Sequence, residues 1–185
     1  MPVNPTEHTL KDRRTLSVRI GSAKDAQELL DYLEDVSGET SYLSFGQGEF
    51  DMTLEEETAY LESSRLVANR IYLVGRVDGR IVGSVSYDGG RRPRTQHTGE
   101  LGISVRKEYW GQGVGTVLMD LLIEWARANR TVTKLNLRVR VDNDRAIRLY
   151  ESYAFEVEGT VRRDMLIDGV YHDHLLMGLI VEDSP

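Results

Sequence analysis

The spacing of apolar residues divides the chain into short strands and a few amphipathic helices. The segment "LSVRI" at residues 16–20 alternates apolar and polar positions, which predicts a strand. From Ala23 onward apolar residues recur every three or four positions, and Gly38 follows the last of them, so a helix is expected between these points. Thr53 and Glu56 have the spacing of a capping box, which predicts the start of a second helix.

Two Asp-Gly dipeptides lie between segments typical of strands. Asp78-Gly79 separates "RIYLVGRV" from "RIVGSVSY", and Asp168-Gly169 separates "TVRRDMLI" from "VYHDHLLMGLIV". Asp-Gly readily adopts the positive φ angles of a two-residue hairpin turn, so two antiparallel hairpins are expected. Alternation also predicts strands at residues 99–105 and in "KLNLRVRV".

A cluster of glycines precedes the longest amphipathic pattern. In "YWGQGVGT", glycine occupies alternate positions, and apolar residues at helical spacing follow from Val114 to Trp125. At a strand–turn–helix junction, unpaired N–H groups face a ligand and glycine lets an anion approach the backbone. The segment predicts a phosphate-binding turn, and a tight turn without a ligand is the alternative. The Gly-Lys-Ser/Thr ending of a P-loop is missing, and Thr116 replaces the third glycine of a dinucleotide-binding pattern.

A second candidate cluster follows the strand "KLNLRVRV". A short helix is expected from about Asp144 to Ser152. Asn143 and Tyr150 are two helical turns apart, so both lie on one face with Ala146 between them. The alternative is that Asn143 only caps the helix and Tyr150 only belongs to the core.

Composition limits the class of protein. A chain of 185 residues with 40% hydrophobic content can bury one core, so we expect a single domain over residues 15–185. Residues 1–14 are polar and aperiodic, which predicts a flexible tail. The net charge of −7 argues against a nucleic-acid partner and favours cationic ones.

The residue types that are missing also narrow the possibilities. The chain contains no cysteine, which excludes disulfides, thiolate metal sites and a cysteine-bound intermediate. The first residues contain no apolar leader segment, and no later stretch is long and apolar enough for a membrane helix. We therefore expect a cytoplasmic protein without a membrane partner.

Taken together, "VRKEYWGQGVGTVLMDLLIEWA" and "LNLRVRVDNDRAIRLYESYAF" resemble the GNAT superfamily of acetyl-coenzyme A-dependent N-acetyltransferases. The first segment resembles the signature R/Q-x-x-G-x-G/A, and the second the element N-x-x-A-x-x-L-Y-x-x-x-G-F. The resemblance implies an α/β (α+β) fold with a mixed, mostly antiparallel sheet of about seven strands and helices on both faces. It also implies acetyl-CoA as the co-substrate and an amine as the acceptor.

The resemblance assigns the coenzyme contacts residue by residue. The strand residues Ile103, Ser104 and Val105 match the main chain that pairs with the pantetheine arm. Asn143 and Ala146 match further coenzyme contacts, and Tyr150 matches the general acid that protonates the departing thiolate. The turn that holds the pyrophosphate matches Trp110, Gly111, Gln112, Gly113, Val114, Gly115 and Thr116.

Three positions depart from the family pattern. Trp110 occupies the Arg or Gln position of the signature, so that contact is lost or becomes stacking or packing. Ala154 replaces the glycine before Phe155. Arg138 lies where GNAT enzymes that act on ribosomal-protein N-termini often carry a glutamate base, which argues against the chemistry of that subfamily.

The available residues indicate how the reaction would proceed. Amide formation from a thioester needs a neutral amine, and without cysteine the acetyl group is expected to pass by direct attack in a ternary complex. Glu100 is the expected base, directly or through water, and a solvated carboxylate is the alternative. His97 is a weaker candidate. His172 and His174 form an H-x-H pair without a third ligand, so no metal is expected.

The acceptor is predicted from the loop at residues 38–51, which contains no Lys or Arg. An acidic and aromatic surface attracts a cation, so a small cationic amine is expected. A peptide N-terminus, a lysine side chain and a non-catalytic acetyl-CoA-binding module are the alternatives, and a homodimer is possible. The loop residues that carry this prediction are Glu39, Tyr42, Phe45, Glu49, Phe50 and Asp51.

Overall fold

The computed structural model describes residues 4–181, which form eight strands and four helices. The strands are β1 (Thr6–Thr9), β2 (Thr15–Ile20), β3 (Arg70–Val77), β4 (Arg80–Gly89), β5 (Thr98–Val105), β6 (Lys134–Arg140), β7 (Glu156–Ile167) and β8 (Val170–Ile180). The helices are α1 (Ala26–Glu39), α2 (Leu54–Leu66), α3 (Val114–Ala128) and α4 (Asp144–Ser152). Within residues 4–181 no helix combines the length and apolar character needed to cross a membrane.

All eight strands belong to one sheet in the order β1-β2-β3-β4-β5-β6-β8-β7. Neighbouring strands are antiparallel except for β5 and β6, which are parallel. The predicted mixed, mostly antiparallel α/β fold is confirmed, with one strand more than the seven expected.

The additional strand lies in the segment that the sequence predicts to be a tail. β1 pairs with β2 along its whole length, and the main-chain N–H of Lys11 donates to the carbonyl of Gln112 at 3.1 Å. Leu10 is buried between these contacts. The prediction of a flexible tail is therefore wrong for residues 6–14, because backbone pairing and one buried leucine order a segment with little apolar content. The single domain from residue 15 stays a prediction.

The sheet has a hydrophobic core on each face. Strand alternation directs Ile71 and Leu73 of β3 to the face covered by α3, and Tyr72 and Val74 to the face covered by α1 and α2. The expected helices on both faces are confirmed.

The predicted turns and caps are also present. Asp78-Gly79 and Asp168-Gly169 both have positive φ angles and connect β3 to β4 and β7 to β8. Thr53 and Glu56 form the capping box of α2, with the Thr53 N–H donating to Glu56 Oε2 at 2.9 Å. A single 3₁₀ turn at Ala23–Asp25 precedes α1.

The strands β5 and β6 are in contact at one end and separate at the other. They pair only where Thr98–Glu100 meets Lys134–Asn136. Farther along, β5 stays paired with β4 as far as Val105, and β6 stays paired with β8 as far as Arg140. The sheet therefore opens between its two halves.

A side-chain clamp lies where the two strands separate. Asn136 Nδ2 donates to Thr98 Oγ1 at 2.7 Å and to the carbonyl of Gly99 at 2.9 Å. These bonds cross-link β6 to β5 at the last paired positions, so the opening starts at a fixed point.

The helix α4 ends in a left-handed turn at Ala154. The N–H of Phe155 donates to the carbonyl of Tyr150 at 3.1 Å, and the φ of Ala154 is 64°. This is a Schellman-type ending, in which glycine normally supplies the positive φ. Ala154, which replaces the glycine of the family pattern, thus adopts the same left-handed conformation although it carries a Cβ.

Replacing Ala154 with glycine should stabilise the fold. The left-handed conformation costs an L-residue about 1–2 kcal/mol, and the flexibility of glycine offsets part of that gain, so we expect about 0.5–1 kcal/mol. Thermal unfolding of Ala154→Gly should show a higher Tm than the parent. Ala128→Gly, within helical geometry at the end of α3, is the matched control and should lower Tm; a lower Tm for both variants would contradict the strain at Ala154.

Candidate active site

A cavity of about 1180 Å³ lies where β5 and β6 separate. Residues of β5, β6, the N-terminus of α3, α4, α2 and the loop before α2 all line it. The cavity brings together almost every site residue that the sequence predicts, namely Glu100, Ile103, Ser104, Val105, Trp110, Gly111, Gly113, Val114, Gly115, Thr116, Asn143, Ala146 and Tyr150.

One edge of β5 has no neighbouring strand along the cavity. The carbonyl of Gly99 accepts from Asn136 on β6, and the carbonyl of Val105 accepts from Trp110 Nε1 at 2.7 Å, so both point away from β4. Residues an even number apart in a strand point their main-chain groups the same way. Ile103 is such a residue, so its N–H and C=O face the opening.

Ser104 has a different environment from Ile103. By the same alternation its main-chain groups point toward β4. Its hydroxyl lies 2.9 Å from the Tyr32 hydroxyl and 3.3 Å from the Ser84 hydroxyl. Within residues 103–105, the free main-chain donor and acceptor pair thus belongs to Ile103.

The glycine turn leaves open space at the N-terminus of α3. Gly111 and Gly113 have φ values of 77° and 104°, and a Cβ placed on either would meet no atom within 4 Å. Gly113 is the N-cap, no side chain caps the helix, and its first turn contains no acidic residue. The N–H groups of the first helical turn, which have no acceptor within the helix, therefore face an uncluttered surface.

Two residues of the turn have structural contacts of their own. The N–H of Gln112 donates to the Tyr109 carbonyl at 3.2 Å, its carbonyl accepts from Lys11, and Gln112 does not line the cavity. The Trp110 indole bonds to Val105, and the Arg145 guanidinium lies 4.0 Å from the centre of its ring. In place of the family's Arg or Gln, Trp110 therefore anchors the turn to β5 and stacks with a cation.

The helix α4 presents Asn143, Ala146 and Tyr150 to the cavity. Asn143 is the N-cap, and its Oδ1 accepts from the Ala146 N–H at 3.3 Å. Tyr150 is 7% exposed and packs against Phe155. Burial raises the pKa of Tyr150, so its phenol keeps its proton at neutral pH. Asn143 therefore caps α4 and Tyr150 belongs to the core, which are the structural roles that the sequence left open for them. Both residues also line the cavity.

Charged side chains surround the point where the strands separate. Glu100 is half exposed, and its Oε1 lies 3.8 Å from Arg138 Nε. Arg138 also lies 3.4 Å from Asp164, whose carboxylate lies 3.3 Å from His174 Nδ1. Burial lowers the pKa of His174. This places Glu100 in the cavity, beside a cation.

The other histidines named from the sequence lie elsewhere. His97 is exposed, and neither it nor His172 lines the cavity. In the described part of the chain, no three His, Cys, Asp or Glu side chains come together as metal ligands would.

The acidic loop residues do not face the cavity. Glu39 accepts from the Lys107 N–H at 2.6 Å and lies 3.7 Å from Arg106, while Glu49 accepts from the Gly46 N–H at 2.6 Å. Asp51 does not line the cavity either. The placement of these acids toward the acceptor is therefore wrong, because main-chain donors hold two of them away from the cavity. The aromatic residues Tyr42, Phe45 and Phe50 of the same loop do line it.

A carboxyl group that the sequence did not single out does face the cavity. Glu57 in α2 is 2% exposed, and burial raises its pKa to about 7. The buried face of α2 consists of Glu57, Leu61 and Ser64. The burial of Glu57 could have been predicted from its position one helical turn before Leu61. Phe45, Phe50, Tyr60 and Tyr72 belong to one packed cluster, and Glu57 is close enough to Tyr72 to interact with it; we call the part of the cavity that these five residues line its aromatic end.

Comparisons with known proteins identify related sequences and similar folds. The L-amino acid N-acetyltransferase AaaT of Escherichia coli strain K12 is 37% identical over 108 residues, which are 58% of this chain and 67% of that protein. A GNAT-family acetyltransferase from Streptococcus pneumoniae superposes with a TM-score of 0.87 at 34% identity, over 90% of this chain and 99% of that one. The structure of yncA from Salmonella typhimurium with its cofactor acetyl-CoA shares the fold, with a TM-score of 0.78 at 20% identity over 91% and 95% of the two chains.

The acetyltransferase (GNAT) family model matches residues 26–155. This range includes the opening between β5 and β6, the glycine turn and Tyr150. The chain belongs to the GNAT acetyltransferase family, and it is an acyltransferase whose acetyl donor is acetyl-CoA.

Proposed function

We propose that the protein transfers the acetyl group of acetyl-CoA to a primary amine by direct attack in a ternary complex. The observation that carries the proposal is the single cavity in which the helix N-terminus, the free edge of β5, Tyr150 and Glu100 all meet. Direct attack fits a chain without cysteine.

The coenzyme is proposed to lie between α3 and α4. Its pyrophosphate would accept from the N–H groups of Val114, Gly115 and Thr116, since unpaired amides at a helix N-terminus bind anions. Its pantetheine amide groups would pair with the main chain of Ile103, with Asn143 and Ala146 beside it. The cations Lys11, Arg145 and Arg148 also line the cavity, and their charge favours the phosphates.

The reaction needs one base and one acid. Glu100, directly or through water, would take the proton from the amine as the nitrogen attacks the thioester carbonyl carbon. The carbon–sulfur bond then breaks, and the Tyr150 phenol donates its proton to the leaving thiolate. The buried, protonated phenol supports this role for Tyr150.

The acceptor is proposed to be a small cationic amine. The aromatic side chains Phe45 and Phe50 at the cavity wall favour a cation by cation–π attraction, whereas the Tyr42 ring already lies 4.3 Å from the Arg140 guanidinium. A second candidate is an L-amino acid, favoured by the name of the Escherichia coli relative and by Arg138, which can pair with a carboxylate. A cytoplasmic location and a homodimer remain predictions from the sequence.

A panel of acceptors tests the proposal. Release of the coenzyme thiol would be followed with alkylamines, diamines, amino acids and short peptides. Turnover of amines ahead of peptides supports the proposal, and preferred turnover of peptides would favour the protein acetyltransferase alternative. Binding of acetyl-CoA without thiol release on any acceptor would indicate a non-catalytic module.

Removing the phenol of Tyr150 should slow the chemical step. Tyr150→Phe keeps the ring and its packing against Phe155 but has no proton to donate, so kcat should fall by about 100-fold while the Kd for acetyl-CoA stays within about twofold. Steady-state kinetics and calorimetry measure the two effects. Tyr171→Phe, an exposed tyrosine on β8, is the control. An unchanged kcat with chemistry rate-limiting would make Tyr150 a core residue only.

Placing a carboxylate in the glycine turn should block the coenzyme. In Gly113→Glu the side chain and its negative charge enter the open space at the N-terminus of α3, so the Kd for acetyl-CoA should rise more than about tenfold. Gly79→Glu is the matched control, since Gly79 also has positive φ and open space around its Cα but lies in a hairpin turn. Equal affinities in the two variants, measured by calorimetry, would rule out this placement of the pyrophosphate.

A further inference from the structure

Glu57 is a buried carboxyl group without a partner in the protein. Its side chain is 2% exposed, and its Oε1 has no hydrogen-bond donor among the described residues. Leaving a carboxylate oxygen buried and unpaired is costly. Polar groups that are buried to this extent normally have a hydrogen-bond partner. Glu57 lines the cavity, so a partner could reach its carboxyl group from there.

The neighbours of Glu57 provide no cation for it. Phe45 and Phe50 pack at a centroid distance of 4.7 Å, and Tyr60 and Tyr72 at 5.8 Å. The Tyr60 hydroxyl donates to Asp88, and the Tyr72 hydroxyl donates to Ser84 at 3.4 Å. Both phenols therefore direct their protons to other acceptors than Glu57.

The nearby charges are already paired with one another. Arg70 pairs with Asp88 on the β3–β4 hairpin, and Arg106 pairs with Asp35 on α1 at 2.9 Å. Burial raises the pKa of Tyr72, and a negative charge on Glu57 raises it further, so the two groups are close enough to interact. The aromatic end thus combines one unpaired carboxyl group with four aromatic rings.

We propose that Glu57 binds a second cationic group of the acceptor, one that does not react with the thioester. A carboxylate among aromatic rings suits an ammonium group, which gains an ion pair and cation–π contacts together. The inference rests on the proposed function and narrows its acceptor to a diamine, or to a longer amine with a second basic nitrogen.

The reacting nitrogen itself does not fit at Glu57. That nitrogen must lose its proton before it attacks, and a buried carboxylate beside an ammonium group favours the charged form. Glu100 already lies at the point where β5 and β6 separate, beside the residues that would hold the thioester. The group on Glu57 is therefore one that stays charged throughout the reaction.

Binding of a cation should also change the protonation of the Glu57 carboxyl group. Burial raises the pKa of Glu57 to about 7, so a substantial fraction carries a proton at neutral pH when no cation is bound. A bound ammonium group requires the carboxylate form. Affinity for the second cation should therefore increase as the pH rises toward 7 and level off above it.

The experiment compares straight-chain diamines, from diaminopropane to diaminohexane, with the monoamine of the same length. In the parent protein at least one diamine should have a lower KM than its monoamine. In Glu57→Gln the KM for that diamine should rise about tenfold or more, while the KM for the monoamine changes less than about twofold. The pH dependence of the diamine KM near 7 should disappear in the same variant.

Glu39→Gln and Glu49→Gln are the matched controls. Each removes the same charge, but both carboxylates bind loop N–H groups outside the cavity, so neither should change the preference for diamines. Glu57→Gln should fold, because a buried carboxyl of raised pKa destabilises the fold increasingly from about pH 5 to about pH 8, and the amide removes this effect. A Tm gain for the variant that is larger at about pH 8 checks this.

The outcomes separate this inference from the proposed function. Calorimetry of the same diamine on the complex with coenzyme A measures binding without turnover. Equal losses for diamine and monoamine, or no loss for either, would overturn the role of Glu57 while turnover still supported the acetyltransferase. Diamine binding that depends on Glu57, in a protein that acetylates no amine, would support the Glu57 site and refute the proposed function.

Discussion

The structure depends on one short contact, the parallel pairing of β5 with β6. Three residue pairs hold the two halves of the sheet together, and the Asn136 side chain fixes the last of them. If this pairing continued, the main chain of Ile103 would bond to β6 and no cavity would exist. Since it stops, a strand in the middle of the sheet keeps a free edge, which is normally found only at the sides of a sheet. The open edge thus lies inside the fold, where it lines the cavity.

The other parts of the site are positioned relative to this opening. The helix α3 starts just beyond the end of β5, and the Trp110 indole ties the intervening turn to the last carbonyl of that strand. The helix α4 follows β6 and carries Asn143 and Tyr150 to the opposite side. Each half of the sheet is therefore followed by one helix at the cavity. Residues distant in sequence become one site through strand geometry alone.

Features that depend on neighbours in sequence could be predicted, and those that depend on distant contacts could not. The Asp-Gly turns, the Thr53 capping box and the short helix from Asp144 are all local signals, and all are confirmed. The acids of the loop illustrate the limit. Glu39 has the expected composition around it, but the main-chain N–H of Lys107 and the guanidinium of Arg106 hold it away from the cavity. The residues around Glu39 in the sequence do not indicate a contact with Lys107.

Two carboxyl groups on one cavity have opposite surroundings, and this difference suits them to the different roles that we propose. Glu100 is half exposed beside Arg138, where water can carry a proton to and from it. Glu57 is buried at the aromatic end of the cavity, where burial disfavours the charged form and a counter-charge would stabilise it. As the proposed base, Glu100 would need access to water, whereas Glu57, as the proposed cation site, would gain from burial, because an unmatched ligand would leave its carboxyl unpaired. Both environments lie on the wall of the one cavity at the separation of the strands, so a single acceptor molecule could meet both.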